Sequence, residues 1–285
     1  MAKFTLACLQ VSASNDMAAN LRTVAALARE AREGGAELIA TPENVAFIGG
    51  NAAETRAASR LEGEHPAIPH FAALARETGA WLLAGSLHIR LEGEERLANR
   101  SYLFAPSGEV AAKVDKVHMF DVDLPSGESY RESRTFRPGD AARLARLPWA
   151  VMGLTVCYDL RFPHLYRLLA QAGADILSIP SSFTVPTGEA HWHVLLRARA
   201  IETGCFVLAP AQTGSHAGGR KTYGHSLVVA PWGEVLSDAG TGVGVSLAEI
   251  DLDRVAEARG RVPSLRHDRP IAPPPPLGAS ARAAE

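Results

Sequence analysis

A chain of 285 residues with 47% hydrophobic and 21% charged residues has the composition of a globular protein with a sizeable core, as one α/β unit or two smaller ones. Its formal net charge of −2 provides no electrostatic footprint for nucleic acid or an anionic membrane as partner. No apolar run reaches the roughly 18 residues of a membrane span, and MAKFTLACLQVSASND lacks the long apolar stretch and cleavage site of a signal peptide.

Cys8, Cys157 and Cys205 are far apart and odd in number, which is neither a disulfide framework nor a zinc pattern. A reducing, cytoplasmic setting is therefore expected.

FTLACLQV (4–11) reads as a strand and the amphipathic run from Asp16 to Gly35 as a helix. Strand ELIATPE (37–43) leaves Glu43 at its C-terminal end. Helix HFAALARETGA and strand WLLAGSLHI (81–89) follow, then paired strands with turns at Glu92-Gly93 and Pro106-Ser107-Gly108, placing Lys116 after the last of them. GLTV runs as a buried strand into Cys157, and PHLYRLLAQAG opens a helix with Pro163 in its first turn. Strand ADILSIPSS, helix EAHWHVLLRARAIETG, strand CFVLAPAQ, the hairpin HSLVVAPWGEVLSDAG, strand VSLAEIDL and a helix from Asp251 complete the pattern. The alternation predicts a layered α/β protein with mixed sheets. No internal repeat is visible. One domain is expected over residues 1–268, with a Pro/Ala-rich tail, extended or disordered, over 269–285.

Phosphate-cradling glycine loops, H-E-x-x-H, C-x-x-C and G-x-S-x-G are all absent from the sequence. His191 and His193 stand at i and i+2, which diverge on a helix. A cysteine at a strand-to-helix turn can be an activated nucleophile, though free cysteine is also among the most buried residue types. Strand C-termini line the crevice of α/β sheets, so Glu43, Lys116 and Cys157 could converge there; equally, Glu43 could be a solvated turn residue and Lys116 a surface lysine beside Lys113.

Glu in TPEN, Lys in KVHMFD and Cys in GLTVCYDLRFP, in this order, resemble the Glu-Lys-Cys triad of the nitrilase superfamily of carbon–nitrogen hydrolases. Further matching stretches are YRESRTFRPGD (130–140), residues 186–214, YGHSLVV (223–229) and PWGEV (231–235). CYDLRFP is similar to the amidase-like Nit branch, and ENVAFIGGNAAET, LLRARAIET and the AQTGSH…YGHS region look most like its deaminated-glutathione amidases. Two positions depart from that subgroup: Ser215, where Arg is frequent, and Ala230, where Asp is common.

The resemblance implies a four-layer α-β-β-α sandwich with mixed sheets that dimerises or assembles further through helices. It implies a small-molecule amide substrate and no metal or organic cofactor. Glu43 would serve as general base, Cys157 as nucleophile, Lys116 with the backbone N–H after the cysteine as oxyanion donors, and Glu132 as the second glutamate that orients Lys116. Tyr158 would shape the pocket. Arg161 could hold a substrate carboxylate or pair with Asp159. The implied reaction cleaves the amide of a 2-oxoglutaryl-type substrate. Rivals are an ω-amidase acting on 2-oxoglutaramate, a carbamoyl-amide hydrolase, and a thiol peptidase with His118, His164 or His225 as base.

Overall fold

The computed structural model describes residues 3–124 and 127–274. In chain order they form β1 (Lys3–Gln10), α1 (Met17–Glu33), β2 (Leu38–Ala40), α2 (Ala52–Ala58), β3 (Arg60–Leu61), α3 (Ala67–Thr78), β4 (Trp81–Arg90), β5 (Ala98–Phe104), β6 (Val110–Asp115), β7 (Asp121–Asp123) and β8 (Ser129–Arg131). Then come β9 (Arg143–Arg146), β10 (Val151–Leu154), α4 (Pro163–Gln171), β11 (Ile176–Ser178), α5 (Val185–Thr203), β12 (Phe206–Ala209), β13 (Thr213–Ser215), β14 (Lys221–Tyr223), β15 (Leu227–Val229), β16 (Val235–Asp238), β17 (Gly244–Asp251) and α6 (Asp253–Arg261).

One sheet runs β17-β1-β2-β4-β5-β6, with β3 on β4; the other runs β16-β15-β12-β11-β10-β9. Both are mixed, and they repeat one pattern. In the first, β1, β2 and β4 are parallel and β5 and β6 antiparallel; in the second, β10, β11 and β12 are parallel and β15 and β16 antiparallel. An antiparallel strand, β17 or β9, flanks each unit. The repeat that the residues do not display exists in the topology.

Alternation along the strands builds the layers. In β1, Ala7 and Leu9 face one way and pack with Val24 and Ala28 of α1 and Phe71 of α3. Leu6 and Cys8 face the other way, meeting Met152, Ile176, Phe206 and Val228 of the second sheet. On that sheet's far face Leu177, Val207 and Leu227 meet Leu169 of α4 and Trp192 and Leu196 of α5. The order is helices, sheet, sheet, helices, and the strands are apolar on both faces because both faces are covered.

Local chemistry sets the ends of these elements. The Asp16 carboxylate caps α1 by accepting from the Ala19 N–H at 2.9 Å. Asn51 caps α2, and its amide reaches the Glu54 side chain at 3.1 Å. The β strands beneath the catalytic-type cysteine are shorter than the sequence runs suggest, since β11 covers only Ile176–Ser178 of ADILSIPSS. α5 is longer, starting at Val185 with Pro186 in its first turn. Residues 269–274 are exposed and carry no helix or strand, whereas most of the expected tail, 275–285, lies outside the described residues. No helix among those described is long and apolar enough to cross a membrane.

Candidate active site

Glu43 is delivered by the turn that leaves β2. The Thr41 N–H and hydroxyl both donate to the Leu83 carbonyl, at 2.9 and 3.0 Å. The turn lies against β4 at Gly85, where a Cβ would sit 2.0 Å from the Thr41 carbonyl oxygen. Only glycine permits that approach. The Glu43 carbonyl accepts from Gln212 Nε2 at 2.9 Å, and Asn44 next to it adopts φ 59° with its Oδ1 2.7 Å from His88 Nε2.

Lys116 follows β6. Its N–H donates to the Asn99 carbonyl at 2.9 Å, and its own carbonyl accepts from Gly139 at 2.7 Å. Lys116 Nζ donates to Glu43 Oε1 at 2.9 Å and to both oxygens of Glu132 at 2.9 Å. Glu132 heads a 3-10 turn after β8, and its Oε2 also accepts from the Phe120 N–H at 2.6 Å. Asn99 Nδ2, on β5, donates to Glu43 Oε1 at 2.9 Å and reaches Glu132 Oε1 at 3.4 Å.

Cys157 comes from the other sheet. β10 ends at Leu154, the Cys157 N–H donates to the Pro180 carbonyl at 2.9 Å, and a 3-10 turn begins at the cysteine. Its φ is 52°, the left-handed region that disfavours a residue with a Cβ. Asp159 stabilises the turn by accepting from the Val156 N–H and from the His118 N–H, each at 2.9 Å.

Glu43 and Lys116 are each 2% exposed and Cys157 6%, so their charges interact with little screening. Burial pushes the Glu43 carboxyl up, yet its attraction to and hydrogen bond with Lys116 win and leave it below the ordinary carboxylate value. Burial pushes the Lys116 ammonium down, but Glu132 and then Glu43 outweigh it and hold it well above the ordinary lysine value. Burial, joined by the Glu43 carboxylate, pushes the Cys157 thiol up; Lys116 and the Ser182 backbone N–H oppose this without cancelling it. The resting set is a carboxylate, an ammonium and a neutral thiol.

Glu43, Lys116, Glu132, Cys157 and Tyr158 all line one cavity of about 590 Å³, in the range of small-molecule sites. Arg161 is absent from that lining. Its guanidinium leaves the turn toward α5, over the rings of Tyr158 and Phe183 and 3.3 Å from His191 Nδ1, and the Asp159 carboxylate is occupied elsewhere. Nor do His118, His164 or His225 line it: His118 Nδ1 is 2.7 Å from Asp159 and its ring stacks on Phe162.

Sequence reasoning missed three contributors. Asn99 hides in an ordinary β alternation and gives no signal. His88 also lines the cavity, its pKa lowered by burial to about 4. Arg220 lies within the Gly-rich run that follows Ser215. Of the lining cations, Lys116 is matched by two glutamates and Arg131 by Asp123 at 2.9 Å. Arg220 meets the Ser182 carbonyl at 2.5 Å and the Tyr130 ring at 5.7 Å, and its Nε is buried with no hydrogen-bond partner among the described residues. Ser215 ends β13, exposed and outside the lining.

The Synechocystis protein named deaminated glutathione amidase is 40% identical over 276 residues, spanning 94% of this chain and 98% of its own. Its human counterpart of the same name is 43% identical over 269 residues, spanning 93% and 82%. The Caenorhabditis elegans NitFhit protein superposes with a TM-score of 0.87 at 35% identity; the match covers 94% of this chain and 65% of that longer one. Residues 5–260 match the carbon–nitrogen hydrolase family, and with this likeness to amidases along nearly the whole of this chain, the chain belongs to that family and is a hydrolase of amide carbon–nitrogen bonds.

Proposed function

We propose that the chain hydrolyses the amide of deaminated glutathione, releasing 2-oxoglutarate and cysteinylglycine through a thioester on Cys157. The observation that carries this reading is the juxtaposition of Cys157 with the Glu43–Lys116–Glu132 set in one cavity. The substrate class follows from the relatives that bear that name.

Because the resting thiol is neutral and Glu43 ionised, Glu43 acts as a general base in the attack itself rather than within a standing thiolate pair. As Cys157 Sγ bonds to the carbonyl carbon, the proton passes to Glu43 and negative charge develops on the carbonyl oxygen. Lys116 and the Tyr158 N–H, at the start of the 3-10 turn where helical N–H groups have no intrahelical acceptor, supply the oxyanion contacts. Glu43 then protonates the departing amine and later draws a proton from the water that cleaves the thioester. Glu132 keeps the ammonium aimed and charged throughout, and Asn99 holds the Glu43 carboxylate from the side.

Arg220 takes the role first sought in Arg161. It is the lining cation with no carboxylate within ion-pair distance among the described residues, and a 2-oxo acid carboxylate matches its planar fork. Three free thiols support a reducing, cytoplasmic setting. Exposed Leu168 on α4 and Val194 and Ile201 on α5 support self-association through these helices.

The test is kcat/KM for deaminated glutathione against 2-oxoglutaramate. A preference of at least about tenfold for the former, equivalent to about 1.4 kcal/mol, is expected, with Arg220→Ala lowering both in parallel. Equal values, or a preference for 2-oxoglutaramate, would move the reading to an ω-amidase.

A further inference from the structure

His193, His225 and Asp238 come from three separate elements, and one ligand atom of each lies within 4.8 Å of the others. His193 projects from the middle of α5, His225 lies between β14 and β15, and Asp238 ends β16. His193 Nε2 is 3.0 Å from Asp238 Oδ2, and His225 Nδ1 is 2.9 and 3.2 Å from the two carboxylate oxygens. The imidazole rings meet the carboxylate from different directions, inclined at 69° to each other. None of the three residues lines the catalytic cavity.

The arrangement is held from behind. His225 has φ 54°, one of three non-glycine residues with positive φ among those described, a conformation that persists only where the surroundings impose it. Its N–H donates to the Gly240 carbonyl at 2.6 Å, and its carbonyl accepts from Trp192 Nε1, the residue before His193, at 2.7 Å. The Tyr223 ring stacks on its imidazole at 4.5 Å. Asp238 Oδ1 also accepts from the Gly240 N–H at 2.9 Å. The backbone strain and these contacts point both rings at one carboxylate.

We propose that His193, His225 and Asp238 bind one divalent transition-metal ion of the zinc, cobalt or nickel class. Two imidazole nitrogens and a carboxylate oxygen suit such borderline cations and not calcium or magnesium, which take oxygen ligands. Tetrahedral coordination at about 2.0–2.1 Å places ligand atoms roughly 3.3 Å apart, so the pairs at 2.9 to 3.2 Å need to open by only a few tenths of an ångström. Each imidazole keeps one N–H on the ring nitrogen facing away from Asp238. All three side chains are partly exposed, leaving an approach for the ion and for water as the fourth ligand.

The ion would tie α5 to the β15–β16 hairpin behind the cavity wall. Tyr223, stacked on His225, packs so closely on α5 that a Cβ at Gly188 would lie 2.2 Å from its ring. Thr187 beside it and Arg220 near Tyr223 both line the cavity. The competing reading is a metal-free His-Asp-His hydrogen-bond clamp, which the same rest geometry satisfies.

The experiment is calorimetric titration of the full-length Cys157→Ala protein, which lacks the cavity thiol, with Zn2+, together with thermal melts. One ion per chain and a rise in Tm of several degrees, reversed by a chelator, are expected. His193→Ala and Asp238→Asn should each weaken binding at least about tenfold. His225→Asn, whose side chain tolerates the left-handed backbone, should do the same without loss of fold. Co2+ should give visible absorption bands in the parent and none in these variants. No binding at millimolar Zn2+, equal binding by the variants, or half an ion per chain would overturn the site; the first outcome leaves the clamp.

Discussion

Asn99 Nδ2 and Lys116 Nζ converge at 2.9 Å on one oxygen of Glu43, so Asn99 holds the buried carboxylate in the orientation that Lys116 charges. Removing a hydrogen bond to a buried charged group costs about 1–3 kcal/mol. Asn99→Ala is therefore expected to lower kcat about 5- to 150-fold while leaving KM nearly unchanged. The acid limb of kcat/KM should move to higher pH, because Glu43 loses a donor that favours its ionised form. An unshifted pH profile would reduce Asn99 to a packing residue.

Cys157, the proposed nucleophile, sits on a strained backbone, and the two properties separate by substitution. Cys157→Ala and Cys157→Gly should both lose all but a trace of turnover. Glycine adopts positive φ without the Cβ clash that costs an L-residue roughly 1–2 kcal/mol. The Gly variant should therefore melt at or above the Ala variant in calorimetry, despite its greater chain entropy. Substantial turnover by either protein would remove Cys157 from the reaction.

Glu43→Gln should cost several orders of magnitude in kcat, since an amide cannot accept the thiol proton. Lys116→Met should be equally inactive and also less stable by about 3–5 kcal/mol, because it leaves the buried Glu43 and the half-buried Glu132 without their shared cation. Glu132→Gln, which keeps the shape and removes one charge, should lower kcat less than either. Denaturant melts alongside steady-state rates distinguish loss of chemistry from loss of fold.

Two buried imidazoles govern the acid side of stability. Burial, with Arg60 adding for His65, lowers the pKa of His65 and His88 from 6.5 to about 4. Between these values the unfolded chain binds protons that the folded chain refuses, so stability falls as pH drops from 6.5 toward 4. Each imidazole contributes about 3 kcal/mol to that loss. His65→Asn should flatten the dependence of ΔG on pH across this window relative to wild type. Below it, the depressed Glu43 carboxyl adds its own loss, as stability present above its unfolded pKa disappears on protonation.

The strand-to-turn segments that carry Glu43, Lys116 and Cys157 were legible because each ends an apolar run with a chemically distinct residue. The four layers were legible only through family resemblance, since both sheets are apolar on both faces and the period-2 signal is masked. The topological repeat was invisible because matching strands such as Leu6-Ala7-Cys8 and Met152-Gly153-Leu154 share burial but not residues. α2 buries nothing, and its only mark is the Asn51–Glu54 cap. The place of Arg161, four residues after Cys157, leaves a substrate carboxylate and Asp159 equally open as partners, and only the 3-10 turn shows its side chain directed toward α5. Arg220 could be found only once the fold had brought the hairpin of β13 and β14 over the cavity.

Glu43 and Lys116 leave one sheet and Cys157 the other, with forty residues between lysine and cysteine. During synthesis the first sheet's core strands emerge before the cysteine, and the thiol gains its base only when the second sheet docks against them. A nascent or half-folded chain lacks both the burial and the Glu43 charge that keep this thiol protonated, so its cysteine is open to alkylation and oxidation yet has no base for amide chemistry. Turnover, and not mere thiol reactivity, reports completed folding: labelling of Cys157 by a mild electrophile should be fastest before the second sheet docks and slow once it has.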